Sequence, residues 1–280
     1  MVILYLYFYL IKFVCKKQQI SFFKLYIKFF FKFMHLFFYI LYVYNIVLPS
    51  TCTNAGLIAL TFDEGPTENT DDILDLVQDN NILVTFHFTV HMLSSGKHRS
   101  VYKRAVEEGH TVGLRTTPSR NYDDMEPDVI NSDISKQIDA INKVTGTDIK
   151  FARSPVNDGD VNPDIYSIFL ENGIIQSYYN YSYSEEDKTI EDFEFTLSTA
   201  SPQIDSFIVT LYENIDLNEL EEIIDIGKKN GYEFVNMDQC LGDYEPDPET
   251  SLGANYKKKN NGEVLEIFGL YTIVLFYCLL

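Results

Sequence analysis

The stretch LIALTFDEGPTENTDDILDLVQDNNILVTF, residues 57–86, changes its apolar period twice. Residues 57–62 are almost wholly apolar, as in a strand covered on both faces. Thr70-Asp71-Asp72 then opens a helix, with acids in its first turn and Ile73, Leu74, Leu76 and Val77 as its apolar face. Residues 82–88 return to a strand pattern. Strand, helix and strand in so short a span predict two parallel strands joined by a helical crossover. The same alternation continues outward. A helix over 100–108 stops at Gly109, and Ile130, Ile134, Ile138 and Ile141 form a helical stripe closed near Gly146. Asn162-Pro163 starts a helix that Gly173 ends. Residues 174–179 and 207–211 read as strands, Leu217, Leu220, Ile223 and Ile224 as a helix face, and residues 233–236 as a last strand. The pattern predicts an α/β domain on a mostly parallel sheet, open or closed into a barrel. Its chemistry belongs just past the C-terminal strand ends. Three such ends carry polar groups: Asp63-Glu64-Gly65-Pro66, Arg153-Ser154-Pro155 and Tyr212-Glu213-Asn214.

Composition excludes several classes. The chain has 280 residues, 46% of them hydrophobic, enough to fill a large core. Four cysteines are too few for a disulfide scaffold. Residues 1–50 hold six lysines, no acid and 17 of the 41 aromatics. The remainder has 16 basic against 41 acidic residues, a formal −25. Such a field repels polyanions, so no nucleic-acid partner is expected.

The ends read as targeting segments. Residues 33–48 are uncharged and apolar, follow Lys12, Lys16, Lys17, Lys24, Lys28 and Lys32, and precede Pro49-Ser50-Thr51. Residues 1–50 are therefore expected to be a signal peptide or signal anchor, with Met34 as a second possible start. Residues 251–280 combine the small-residue step Gly253-Ala254-Asn255, a polar spacer and an apolar end. That is the layout of a glycolipid-anchor signal, with a short membrane segment as the alternative. Residues 51–250 are the expected exported domain, extracellular or at the cell wall, tied to a membrane through its terminal segments. Cys52 and Cys240 flank this domain, and an even pair in an oxidising compartment predicts one disulfide. Asn180-Tyr181-Ser182 is a glycosylation sequon.

TFDEGP, residues 61–66, resembles the first motif, TFDDGP, of the polysaccharide deacetylase family (NodB homology, carbohydrate esterase family 4). GYEFVNMDQCLGD, residues 231–243, resembles the close of its fungal chitin deacetylase branch. The resemblance spans about residues 52–243. It implies an irregular (β/α) barrel and a zinc or other divalent metal that helps remove acetyl groups from amino sugars. It places Asp63 as the general base, Glu64 at a metal-ligand carboxylate, Arg153 as the residue orienting the base and Tyr212 where the family has an acid histidine. Arg115 and Ser119 stand at the two histidine ligand positions.

The histidines are at 35, 87, 91, 98 and 110, so no shift of register can supply one later in the chain. Arg115 keeps its proton near neutral pH and cannot ligate a metal. No cofactor is therefore expected. His87 and His91 form an alternative i, i+4 pair, but a strand separates such residues by ~13 Å. The readings that follow are an inactive member that binds chitin or a similar amino-sugar polymer, an active deacetylase with another ligand set, and a structural wall or coat protein. One or both of Arg115 and Arg153 are expected to pair with Asp63 or Glu64 in place of the ion.

Overall fold

A computed structural model describes residues 46–154, 161–183 and 189–246. Residues 1–45 of the expected leader, the whole expected tail segment 251–280, and Pro155 of the Arg153-Ser154-Pro155 strand end lie outside the described residues. No described helix is long and apolar enough to cross a membrane.

The domain is built on one parallel sheet. Its strands are β1 (Leu57–Asp63), β2 (Thr85–Phe88), β3 (Thr111–Arg115), β4 (Phe151–Arg153), β5 (Ile175–Gln176), β6 (Tyr181–Ser182), β7 (Phe207–Tyr212) and β8 (Glu233–Val235). The order is β5-β4-β3-β2-β1-β7-β6, so the sheet is a curled half-barrel open between β5 and β6 among the described residues. β1 is the hub. It pairs along Ile58–Asp63 with β7, while its other edge is shared by β2 at Thr61–Asp63 and β8 at Leu57–Ala59. With both edges occupied and both faces covered, six of its seven residues are buried, which is why it reads as an unbroken apolar run.

The helices are α1 (Thr70–Asp79), α2 (Gly96–Glu107), α3 (Pro127–Thr145), α4 (Pro163–Glu171), α5 (Ile190–Thr199), α6 (Leu217–Lys229) and α7 (Met237–Cys240). α3 buries Ile130, Ile134, Ile138 and Ile141, the stripe read from the sequence, and stops at Gly146 in the left-handed region. α4 starts with the Asn162 side chain capping the Asp164 and Ile165 N–H groups. Phe62, Phe86 and Phe88 stack in succession across the sheet at 5.2 Å between centroids.

Local differences from the sequence reading have physical causes. Residues 82–84 are not strand: Asn81 turns with φ +53°, and Val84 N–H is taken by His110 Nδ1 at 3.2 Å. The strand expected over 174–179 has two residues, because Tyr178 N–H pairs with Pro49 O instead of a neighbouring strand. α5 carries Ile190, Phe193 and Leu197 at helical spacing behind a Thr189–Asp192 capping box, a signal the sequence reading passed over, and β6 is only two residues long.

Cys52 and Cys240 form the expected disulfide, 188 residues apart in sequence with Cα atoms 4.6 Å apart. Both are buried, and Thr53 N–H donates to Cys240 O beside them. Cys52 lies near the start of β7, where Ser206 Oγ donates to its carbonyl. The sequon asparagine helps to hold the fold. Asn180 Nδ2 donates to Ser206 O, and its Oδ1 accepts from Ile208 N–H.

Candidate functional site

Parallel pairing puts several strand ends side by side. Asp63, the last residue of β1, is in register with His87 of β2 and Tyr212 of β7, and Arg115 of β3 with Arg153 of β4. Asp63, Glu64, Arg115, Arg153 and Tyr212 thus share the C-terminal rim of the sheet.

Asp63 is only 5% exposed. Its Oδ1 accepts from Arg153 Nη1 at 2.9 Å, and Arg115 Nε lies 3.8 Å from its Oδ2. The same Arg153 Nη1 donates to Thr61 Oγ1 and Thr210 Oγ1, and Nη2 reaches Tyr178 O at 3.3 Å. Arg153 also stands over the Tyr179 ring, 5.6 Å from its centroid. Arg115 Nη2 donates to Glu64 Oε1 at 3.3 Å. Two guanidinium groups therefore balance two carboxylates. Burial pushes the Asp63 carboxyl up, but Arg153, then His87 and Arg115, outweigh it and hold the group down at about 2.

The histidine beside it escaped assignment from sequence. His87 is fully buried, and its Nδ1 lies 3.3 Å from Asp63 Oδ1. Gly113 on β3 makes room for it; a Cβ there would stand 2.9 Å from His87 Cδ2 and 2.7 Å from Phe151 O. His91 is exposed, so the two histidines do not form a site. Burial, followed by the Arg153 charge, lowers the His87 pKa to about 4, and the ring is neutral at pH 7.

That shift has a testable sign. The folded state binds the His87 proton more weakly than the unfolded chain does. Its contribution to stability is thus present above the unfolded value of about 6.5 and is lost as pH falls toward 4, by up to about 3 kcal/mol. Urea titrations between pH 7.5 and 4.5 are expected to show this loss, and His87→Gln should flatten the slope. An unchanged slope in the variant excludes His87 as its source.

Tyr212 is 39% exposed at the rim. Burial, and then Glu64, raise its pKa above the usual phenol value. Ser119 is exposed on the turn after β3, so of the two histidine-ligand positions only Arg115 joins the charge cluster. Glu213, singled out from sequence only as part of a polar strand end, is 1% exposed. Its Oε2 accepts from Thr67 N–H at 2.8 Å, Thr67 Oγ1 at 2.9 Å and Thr70 Oγ1. A carboxylate straight after a buried apolar strand was the available signal.

Residues 50–174 match the family profile described as Polysaccharide deacetylase. Over those residues the chain is similar to polysaccharide deacetylases. The chain is similar to the chitin deacetylase of Colletotrichum lindemuthianum, with 27% identity over 204 residues, 69% of this chain and 82% of that protein. The solved structure of that enzyme superposes with a TM-score of 0.63 at 23% identity, covering 72% of this chain and 93% of the other. A CE4 family pseudoenzyme from Bacillus anthracis shares the fold too, with a TM-score of 0.58 at 16% identity, over 67% of this chain and 66% of that one.

Deacetylases of this family are generally metal-dependent. The rim of the present domain does not fit a divalent ion. Arg115, a fixed cation at a histidine-ligand position, stands 3.8 Å from Asp63 Oδ2 and 3.3 Å from Glu64 Oε1, beside the carboxylates an ion would need. Among the described residues no group of three or more His, Cys, Asp or Glu side chains could hold a metal.

Proposed function

We propose that this chain is an exported member of the polysaccharide deacetylase family that binds chitin or a related amino-sugar polymer and has lost metal-dependent deacetylation. One observation carries the reading: Arg115, at a histidine-ligand position, stands 3.3 Å from Glu64 Oε1 and 3.8 Å from Asp63 Oδ2, where the family's chemistry needs a divalent ion. The remaining chemistry agrees. A general base works best with a pKa near the operating pH, and Asp63 at about 2 is a weak one. Tyr212, raised above the usual phenol value, holds its proton too tightly to serve a leaving amine.

Carbohydrate binding survives these losses. Tyr212 offers a half-exposed ring beside charged hydrogen-bonding groups, a combination suited to a sugar face and its hydroxyls. The similarity to a chitin deacetylase supports an amino-sugar ligand and an extracellular or wall location. The leader, the disulfide and the apolar tail are consistent with export and membrane attachment.

The test uses the chain made in a secreting host and dialysed without chelator. Bound metal, acetate release from acetylated chitooligosaccharides and retention on chitin beads are measured together. Retention without stoichiometric metal or acetate release is expected. Stoichiometric zinc with turnover establishes an active enzyme with another ligand set, and absence of retention favours a structural wall or coat protein.

A further inference from the structure

Glu213 adjoins Tyr212, yet its carboxylate is spent on the loop that follows β1. Its Oε2 takes the Thr67 N–H and the hydroxyls of Thr67 and Thr70, and its main-chain oxygen accepts from Asn69 Nδ2 at 2.9 Å. Its Oε1 fills the space beside Gly65, where an added Cβ would lie 1.9 Å away. One residue at the end of β7 thereby grips four positions between 65 and 70.

The loop is held from the opposite side as well. Gly65 O accepts from both Thr89 N–H at 2.8 Å and Thr89 Oγ1 at 3.1 Å, past the end of β2. Tyr102 Oη donates to Thr89 O and anchors that support to α2. Between these clamps sits Glu64, at φ +69°. A non-glycine residue keeps that left-handed conformation only where its surroundings hold it. Glu64 in turn faces Arg115 across 3.3 Å.

We propose that Glu213 is the positioning residue of the mouth: it fixes the 64–70 loop, and through it the Glu64–Arg115 pair, in the shape that receives a sugar. The inference rests on the carbohydrate-binding reading and adds a residue that touches no ligand. Ala at 213 removes the acceptor for three donors and frees the loop, whereas Gln keeps an oxygen in the Oε2 position.

Calorimetry with a fully acetylated chitooligosaccharide on the full chain tests this, alongside the thermal midpoint of each protein. Glu213→Ala is expected to weaken binding about tenfold or more, the scale on which loss of a supporting partner is felt at other sites. Glu213→Gln should bind close to wild type. The paired Thr67→Val, Thr70→Val change should reproduce the loss and add little to Glu213→Ala, because both break the same clamp. If Glu213→Ala does not fold, the Gln and threonine variants carry the comparison. A lowered midpoint with unchanged affinity in the alanine or threonine variants overturns the proposal and leaves the carbohydrate-binding reading intact. A wild-type chain that binds no sugar overturns both.

Discussion

Replacing Cys52 and Cys240 together by serine is expected to remove about 5 kcal/mol of stability on the chain-entropy scale, because the bond closes a loop of 188 residues. For a domain of this size that corresponds to a fall of about 10–20 °C in thermal midpoint. Both cysteines belong to a buried cluster with Ala59, Ile208, Val235, Met237 and Leu241, so the double serine variant also places hydroxyls in apolar surroundings. Calorimetric scans of the oxidised protein, the reduced protein and the variant distinguish these contributions. Reduction alone should give most of the drop, and a midpoint that moves by only a degree or two on reduction contradicts the account.

Arg153→Met should cost about 3–5 kcal/mol, since it strands Asp63 as a buried carboxylate without its main partner. The variant also leaves Thr61, Thr210 and Tyr178 O short of one donor each. The pH dependence identifies the cause. In the wild type the Asp63 carboxyl is held below its ordinary 3.8, so its contribution is full above that value and fades as pH falls toward 2. Without Arg153, burial becomes dominant and Asp63 takes up a proton at higher pH, so the penalty shrinks as the solution is acidified. Urea unfolding at pH 7 and pH 4 measures the difference between variant and wild type. A penalty equal at both values locates the cost in packing instead of in the charge.

The fold was legible because its periods are long and clean. β1, α1, α3 and α6 each carry an apolar pattern that tertiary packing left in place. The strand-end rule also found Asp63, Arg153 and Tyr212, since a polar residue straight after a buried run has little choice of location. What resisted reading was the second layer. His87 follows Phe86 within an apolar strand, and its meaning depends on which residue β1 sets opposite it, a register that sequence alone does not fix. Glu213 stands out in sequence only as an acid at a strand end, and its partners Thr67 and Thr70 come from 143–146 residues away in the chain. Ser119 shows the converse. Motif alignment gave it a ligand position, but the chain after β3 turns outward and carries it to the surface.

The place of the disulfide has a mechanical consequence. Its Cα atoms are 4.6 Å apart, and all of the sheet lies between the two cysteines in sequence. Tension applied through residues before Cys52 and after Cys240 passes through the sulfur bridge, and the strands carry none of that load. Cys52 and Cys240 also lie near the starts of β7, β2 and β3, at the pole opposite Asp63 and Arg115. Load carried by the bridge therefore bypasses the rim as well as the strands.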